Sequence, residues 1–254
     1  MNELKKRIKN RPIIGIWSII SSPKLAEVLS TSGIDFIIFD REHGHFSDKS
    51  LEDSIRACEQ GHAFPLVRIS SLNLQKSQIA LDAGSYGIIA PKINNKEEAK
   101  KLVEISLFPP YGERGFNPFT RAGNFYNNQS NQINKFDKDF PLICGIVETQ
   151  EGIRNLDDIC KVDHLDVVYI GIYDLSVDLG FNGDTSNKDL LEIVNALIIK
   201  IHKYGKYAGM MVNKHEDIGQ AVELGAKFIV YSVDTSLIYS LGESISDKLK
   251  NLYK

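Results

Sequence analysis

Ile143-Cys144-Gly145-Ile146-Val147-Glu148 and Asp166-Val167-Val168-Tyr169-Ile170-Gly171-Ile172-Tyr173-Asp174 are two short apolar runs, each closed by a lone carboxylate. Both are rich in β-branched residues, and a helix-compatible segment from Gln150 to Cys160 lies between them. The pattern reads as successive parallel strands of a βαβ unit, since strands covered by helices on both faces show no polar alternation. Glu148 and Asp174 then fall side by side at the strands' carboxyl ends, the edge where parallel α/β folds place chemistry. Two acidic oxygens there suit a hard divalent cation such as Mg²⁺ or Mn²⁺ that keeps open positions. The same spacing suits carboxylates that cap the next helices, and spacing alone leaves both readings open.

Outward from this unit the chain repeats one pattern: a β-rich run, a turn and an amphipathic helix. The runs are Ile13–Trp17, Phe36–Asp40, Pro65–Ile69, Tyr86–Pro91, Leu142–Glu148, Val167–Gly171, Ala208–Val212 and Phe228–Ser232. Helical periodicity falls over Pro23–Ser32, Lys49–Gln60, Leu74–Ala83, Lys96–Leu107, Glu151–Cys160, Asp189–Tyr204, His215–Leu224 and Leu237–Tyr253. Gly33, Gly61, Gly84, Gly205 and Gly225 close helices just before strands, as C-cap glycines do. Eight alternations in one chain of 254 residues predict a single-domain (β/α)₈ barrel over residues 1–254. A doubly wound sheet would carry a Gly-rich first βα turn, and Trp17-Ser18-Ile19-Ile20-Ser21-Ser22 is not one.

Composition narrows the function classes. A net charge of −3 argues against nucleic acid, and no run approaches the roughly 18 apolar residues that span a bilayer. Lys5-Lys6-Arg7-Ile8-Lys9 reads as a solvated basic tail, with no apolar h-region of a secretory signal after it. Cys58, Cys144 and Cys160 lack metal-type spacing and leave one thiol over in any disulfide scheme, so reduced thiols in a cytoplasmic protein are expected.

One connection breaks the rhythm, a long insertion at about 108–140 that includes Pro109-Pro110-Tyr111-Gly112-Glu113-Arg114-Gly115 and then aromatics and asparagines through Asn134. A loop of this length in a compact domain is functional or an assembly element. It joins a helix to a strand, so it starts opposite the catalytic mouth and is a candidate contact with a neighbouring protomer. Asp137, Asp139 and the overall charge speak against an RNA surface.

In a barrel the residues just past each strand converge. The second strand leads into Asp40-Arg41-Glu42-His43, the third carries Arg68, the fourth ends at Lys92, and the fifth and sixth supply Glu148 and Asp174. Asn213-Lys214 and Val233-Asp234 end the last two strands without the glycines of a phosphate site. Asp40 can orient His43 as a general base, and Arg68 can hold an oxyanion. Together with a metal these groups describe enolisation beside a carbonyl. Singly, each has a duller reading as well, His43 as a loop histidine and Arg68 as a core ion-pair partner. Lys92 is the lysine placed for a Schiff-base route, though Asn94 and Asn95 beside it suggest a solvated loop.

From Gly15-Ile16-Trp17 to Val233-Asp234-Thr235 the chain resembles the metal-dependent (class II) pyruvate aldolases of the HpcH/HpaI family, which includes 2,4-dihydroxyhept-2-enedioate aldolase and 2-dehydro-3-deoxyglucarate aldolase. The matching stretches are Phe39-Asp40 with Glu42-His43, Val67-Arg68, Leu81-Asp82-Ala83-Gly84, Pro109-Pro110 with Gly112, Arg114 and Gly115, Val147-Glu148-Thr149, and Gly171 with Asp174-Leu175-Ser176. The resemblance implies a TIM barrel of the phosphoenolpyruvate/pyruvate-domain type and an aldolase joining pyruvate to an aldehyde through an enolate. It implies Glu148 and Asp174 as ligands of Mg²⁺, Mn²⁺ or Co²⁺, and His43 as the base with Asp40 as its dyad partner. Arg68 would sit on the keto oxygen, the backbone at Tyr173 and Asp174 on the pyruvate carboxylate, and Asp82 as an aid to the mouth. It also implies a homo-oligomer, typically a hexamer.

Three positions depart from the family pattern: Arg41 stands for a glycine, Ile146 for a glutamine, and Ile172-Tyr173 for Pro-Ala. Arg41 is expected to clamp an anionic aldehyde, and Ile146 and Tyr173 to make the floor more apolar. The departures keep two other classes open, an altered family member that serves as a binding or assembly protein and a related acyl-CoA-ester lyase. The latter calls for a basic nucleotide-binding rim, which the sequence does not show.

Overall fold

The computed structural model describes residues 2–126 and 139–253. Asn134 and Asp137 of the insertion lie outside the described residues. The strands are β1 (Ile13–Ser18), β2 (Phe36–Asp40), β3 (Phe64–Arg68), β4 (Gly87–Ala90), β5 (Leu142–Val147), β6 (Val167–Ile170), β7 (Tyr207–Val212) and β8 (Phe228–Val233). They close in sequence order into one parallel barrel, β8 returning to β1. The chain is therefore a (β/α)₈ TIM barrel.

The helices are α1 (Glu3–Asn10), α2 (Pro23–Ser30), α3 (Asp48–Glu59), α4 (Leu74–Asp82), α5 (Lys96–Ser106), α6 (Gln150–Arg154), α7 (Leu156–Cys160), α8 (Ile172–Asp178), α9 (Lys188–Lys203), α10 (His215–Glu223) and α11 (Asp234–Leu252). Ser22, Ser47, Asn73 and Asn95 cap α2 to α5 by accepting a backbone N–H through the side chain, which starts each helix just past its strand. Two assignments differ from the periodicity. The segment Glu151–Cys160 breaks into α6 and α7 at Asn155, whose φ of −94° and ψ of 7° serve both as C-cap and N-cap. The second signature run is strand only to Ile170, so Asp174 lies in the first turn of α8.

Two apolar layers hold the barrel. Between strands and helices lie Phe39, Val67, Ile88, Ile143, Val147 and Val168 among others, and inside the barrel lie Phe36, Ile38, Leu66, Leu142, Val167 and Phe228. The interior layer includes Leu4 and Ile8 of α1, both fully buried. The basic tail is thus not a solvated arm. It is a helix that closes the strands' amino ends, with Lys5 on Asp166 at 2.8 Å and Arg7 and Arg11 on Asp35 at 3.0 and 2.6 Å.

The described part of the insertion packs on the same face. Arg114 is buried, stacks over the Phe108 ring at 4.4 Å and donates to Asp82 at 2.6 Å, while the Ala122 amide donates to the Asp82 carbonyl. A Cβ on Gly112 would stand 2.3 Å from the carbonyls of Glu104 and Leu107, so only glycine lets this turn lie against α5. No described helix is long and apolar enough to cross a membrane.

Candidate active site

At the strands' carboxyl ends a cavity of about 370 Å³ is lined by Asp40, His43, Arg68, Glu148, Tyr173 and Asp174, with Trp17, Ile146, Tyr169 and Met211 among its other walls. Register explains the first contact. Asp40 and Arg68 are paired residues at the ends of neighbouring strands, so a carboxylate and a guanidinium meet laterally. Arg68 Nε donates to Asp40 Oδ1 at 2.8 Å, Nη2 donates to Oδ2, and Nη1 lies 3.2 Å from Glu42 Oε2. The guanidinium also lies 4.4 Å over the Trp17 ring. Burial works against the Arg68 charge, but Asp40, Glu42 and Glu148 outweigh it and raise the Arg68 pKa further.

The Asp40–His43 dyad is not formed. Buried Asp40 accepts from Arg68 and from the amides of Glu42 and His43 at 2.9 and 3.3 Å, which makes it a knot for the loop and not a partner of the imidazole. The His43 ring is exposed, and the carboxylate within 4.0 Å of its Nε2 is Glu42. Two further expected site residues lie elsewhere. Arg41 donates to Asp48 at 2.5 Å at the start of α3 and does not line the cavity. Asp82 ends α4, which runs from mouth to opposite face, and there holds Arg114.

Glu148 is 4% exposed. Its Oε1 accepts from the Lys92 amide at 2.8 Å, made possible by a left-handed Lys92 at φ 55°. Its Oε2 overhangs Gly171, where any Cβ would come within 2.6 Å of it. Burial first, then the charges of Asp174 and Glu42, push the Glu148 carboxyl up to about 7 against the pull of Lys92 N–H and Arg68. A crowded carboxylate of this kind fits a cation. Among the described residues no three His, Cys, Asp or Glu cluster as metal ligands, so a cation here would take two protein carboxylates and fill its remaining positions with water or substrate, a habit of Mg²⁺. The Lys92 side chain is exposed and outside the cavity, which removes the Schiff-base lysine from the reacting space.

The aromatic floor was not legible beforehand. Trp17 Nε1 donates to Tyr169 Oη at 3.4 Å, the two rings meet edge to face at 6.0 Å, and burial pushes the Tyr169 hydroxyl up. Its signal was available in principle: Trp17 is the single tryptophan and ends a strand. The Lys92 amide had no signal, since a backbone donor does not depend on residue type.

Fold and mouth together gather strand-end carboxylates, an arginine and a histidine around one cavity of a (β/α)₈ barrel. The sequence model of the HpcH/HpaI aldolase/citrate lyase family matches residues 13–240, and the chain belongs to that family. It is 29% identical to the 4-hydroxy-2-oxo-heptane-1,7-dioate aldolase of Shigella flexneri over 98% of this chain and 94% of that one. It is also 29% identical to the hydroxypyruvate/pyruvate aldolase of Roseobacter denitrificans, over 98% of each chain. Among solved structures it superposes on citrate synthase SbnG with a TM-score of 0.85 at 28% identity, covering 99% of both chains. The expected resemblance to this family therefore holds.

Proposed function

We propose that the protein is a metal-dependent, class II pyruvate aldolase that forms or cleaves a 2-keto-4-hydroxy acid by way of a pyruvate enolate and an aldehyde. The observation that carries this reading is Glu148, a buried carboxylate raised to about 7 beside Asp174, in a cavity it shares with Arg68 and His43. Glu148 and Asp174 would hold Mg²⁺, Mn²⁺ or Co²⁺, which would supply Lewis-acid polarisation of the pyruvate keto group.

The chain's own groups do the rest. Arg68, pinned by Asp40 and Glu42 and backed by Trp17, offers a fixed positive charge to the keto oxygen as it becomes an enolate. His43, exposed to the cavity, takes the methyl proton and later returns it to the aldol oxygen. The first-turn amides of α8 at Tyr173 and Asp174 lack intrahelical acceptors and meet the carboxylate of pyruvate. Arg68 is the one lysine or arginine among the described residues lining the cavity, which favours a small aldehyde over a nucleotide thioester.

The exposed apolar side chains of α11 support a homo-oligomer, hexameric by family habit. The only buried residue of that helix is Asp234, and Ile238, Leu241, Ile245, Leu249 and Leu252 are each more than half exposed. Covering such a side chain stabilises by about 1.5–3 kcal/mol, so we assign α11 to a second copy of the chain. A cytoplasmic setting agrees with the three free, buried cysteines, whose thiols burial pushes up.

With pyruvate and an aldehyde, the protein should form the hydroxy-keto acid only when Mg²⁺, Mn²⁺ or Co²⁺ is added. Product formation that survives chelation would refute the metal, and no product with any metal or aldehyde would refute the aldolase.

A further inference from the structure

On the aldolase reading above, negative charge builds on two oxygens in turn: the keto oxygen of pyruvate and then the carbonyl oxygen of the aldehyde. Arg68 answers the first. All three of its guanidinium nitrogens already lie on Asp40 or Glu42, and the carboxylates facing the space are those of Asp40, Glu148 and Asp174. The second oxygen therefore calls for a donor of its own.

A neutral donor stands at the rim. Tyr173 is the second residue of α8, just past β6, and its side chain lines the cavity at 49% exposure. Asn213 follows β7, the strand paired with β6, and its Nδ2 donates to Tyr173 Oη at 2.9 Å. An amide N–H only donates, so the phenol oxygen is the acceptor and its own hydrogen is left over. Among the described residues nothing accepts that hydrogen. Accepting one hydrogen bond polarises the hydroxyl and makes it the better donor of another, while the bridge fixes where the oxygen stands. The cavity's other polar hydroxyls differ. Tyr169 Oη accepts from Trp17 Nε1 at 3.4 Å, but that residue is 4% exposed and belongs to the barrel's interior layer. The Thr235 and Ser236 side chains are exposed, and no described partner holds their hydroxyls in place.

We propose that Tyr173 is a catalytic residue whose hydroxyl donates a hydrogen bond to the aldehyde oxygen, and that Asn213 is the positioning residue that keeps this hydrogen free. In the addition, the enolate's methylene carbon bonds to the aldehyde carbon, the π bond of the aldehyde breaks, and its electron pair moves to the oxygen. Tyr173 steadies that oxygen and keeps its own proton; the proton that neutralises it comes from His43. In cleavage the order reverses, and the hydrogen bond weakens as the oxygen becomes a carbonyl again.

The full-length protein, with pyruvate and the metal that supports exchange, is given propionaldehyde, glycolaldehyde or succinate semialdehyde. Addition is followed on whichever turns over fastest, beside exchange of the pyruvate methyl protons with D₂O. Losing an enclosed oxyanion donor costs on the order of a hundredfold or more; for half-exposed Tyr173, Tyr173→Phe should lower addition at least tenfold more than exchange. Asn213→Asp keeps a bridge but reverses it, because a carboxylate only accepts and so takes the phenol hydrogen. It should reproduce the selective loss, whereas Asn213→Ala, which leaves the hydrogen free, should cost less than either. Addition and exchange that fall together in Tyr173→Phe, or addition that does not fall, would overturn the proposal. So would activity kept in Asn213→Asp and lost in Asn213→Ala, the mark of a bridge that only braces the rim. Exchange by a wild type that adds to none of the aldehydes sinks the acceptor role and leaves the enolising site standing, whereas no exchange sinks both.

Discussion

The two ends of the barrel handle buried charge in opposite ways. At the amino end, burial opposes the charge of Asp35, but Arg11, the Ile14 amide and Arg7 outweigh it and hold the carboxyl below its ordinary range. At the mouth, burial and two neighbouring carboxylates push Glu148 up to about 7, and Arg68 only partly offsets them. The closed end is not uniformly relaxed, since burial raises Asp166 even with Lys5 2.8 Å away. The contrast still separates a face whose charges are largely matched by the chain from one that the chain leaves short of positive charge. An excess of carboxylate costs stability and persists where a cation or substrate completes it.

The sharpest break of this comparison is Glu148→Gln. It should lower metal-dependent turnover by about a thousandfold or more, the scale of losing a key electrostatic group, while leaving the metal-free fold as stable or more stable at pH 8 by thermal melting. A fold that collapsed without Glu148 would make its role structural. At the other end, Leu4→Ala should cost about 2–5 kcal/mol in denaturant unfolding and leave kcat of the folded fraction unchanged, since α1 plugs the face away from the cavity.

The pH response should carry opposite signs at the two ends. Glu148 is raised when folded, so its own contribution to metal-free stability is fullest below about 4.5 and is lost as pH rises through about 7, by on the order of 3 kcal/mol. Asp35 is lowered when folded, so its contribution is present above the ordinary carboxylate range and is lost as pH falls through its depressed value. Unfolding free energies of wild type, Glu148→Gln and Asp35→Asn across pH 3 to 8 read this directly. Loss of the upper slope in Glu148→Gln and of the acid-side loss in Asp35→Asn is the expected pair. Leu241→Asp with Ile245→Asp on α11 should shift the mass in light scattering toward a single chain, and an unchanged mass would detach α11 from assembly. The smallest effect belongs to Arg41→Gly, which removes a pair with half-exposed Asp48 worth about 0.2–1 kcal/mol and should leave the aldehyde preference within twofold.

The fold was legible because eight apolar runs alternate with amphipathic helices, a period that physics ties to strands covered on both faces. The plug was not, because α1 shows only Leu4 and Ile8 against a basic background, and two apolar residues look alike in a tail and in a barrel. At the mouth, strand ends named Asp40, Arg68 and Glu148 correctly as neighbours of one cavity. Side-chain partnership was another matter: Asp40 and Arg68 meet because β2 and β3 pair in register, and proximity in sequence to His43 does not reveal that. Asp82 was misplaced against topology, since the last residue of a helix that returns from the mouth ends at the opposite face. The apolar lining of the cavity, Met211 and Val233 above all, looked like ordinary core.

The most direct test of the account is exchange of the pyruvate methyl protons with D₂O, followed by NMR with and without Mg²⁺, Mn²⁺ or Co²⁺. Exchange that requires metal, falls at least a hundredfold in His43→Ala and is abolished in Glu148→Gln is the predicted result. Exchange that proceeds under chelation, or its absence with every metal, would contradict the claim that this mouth is an enolising site.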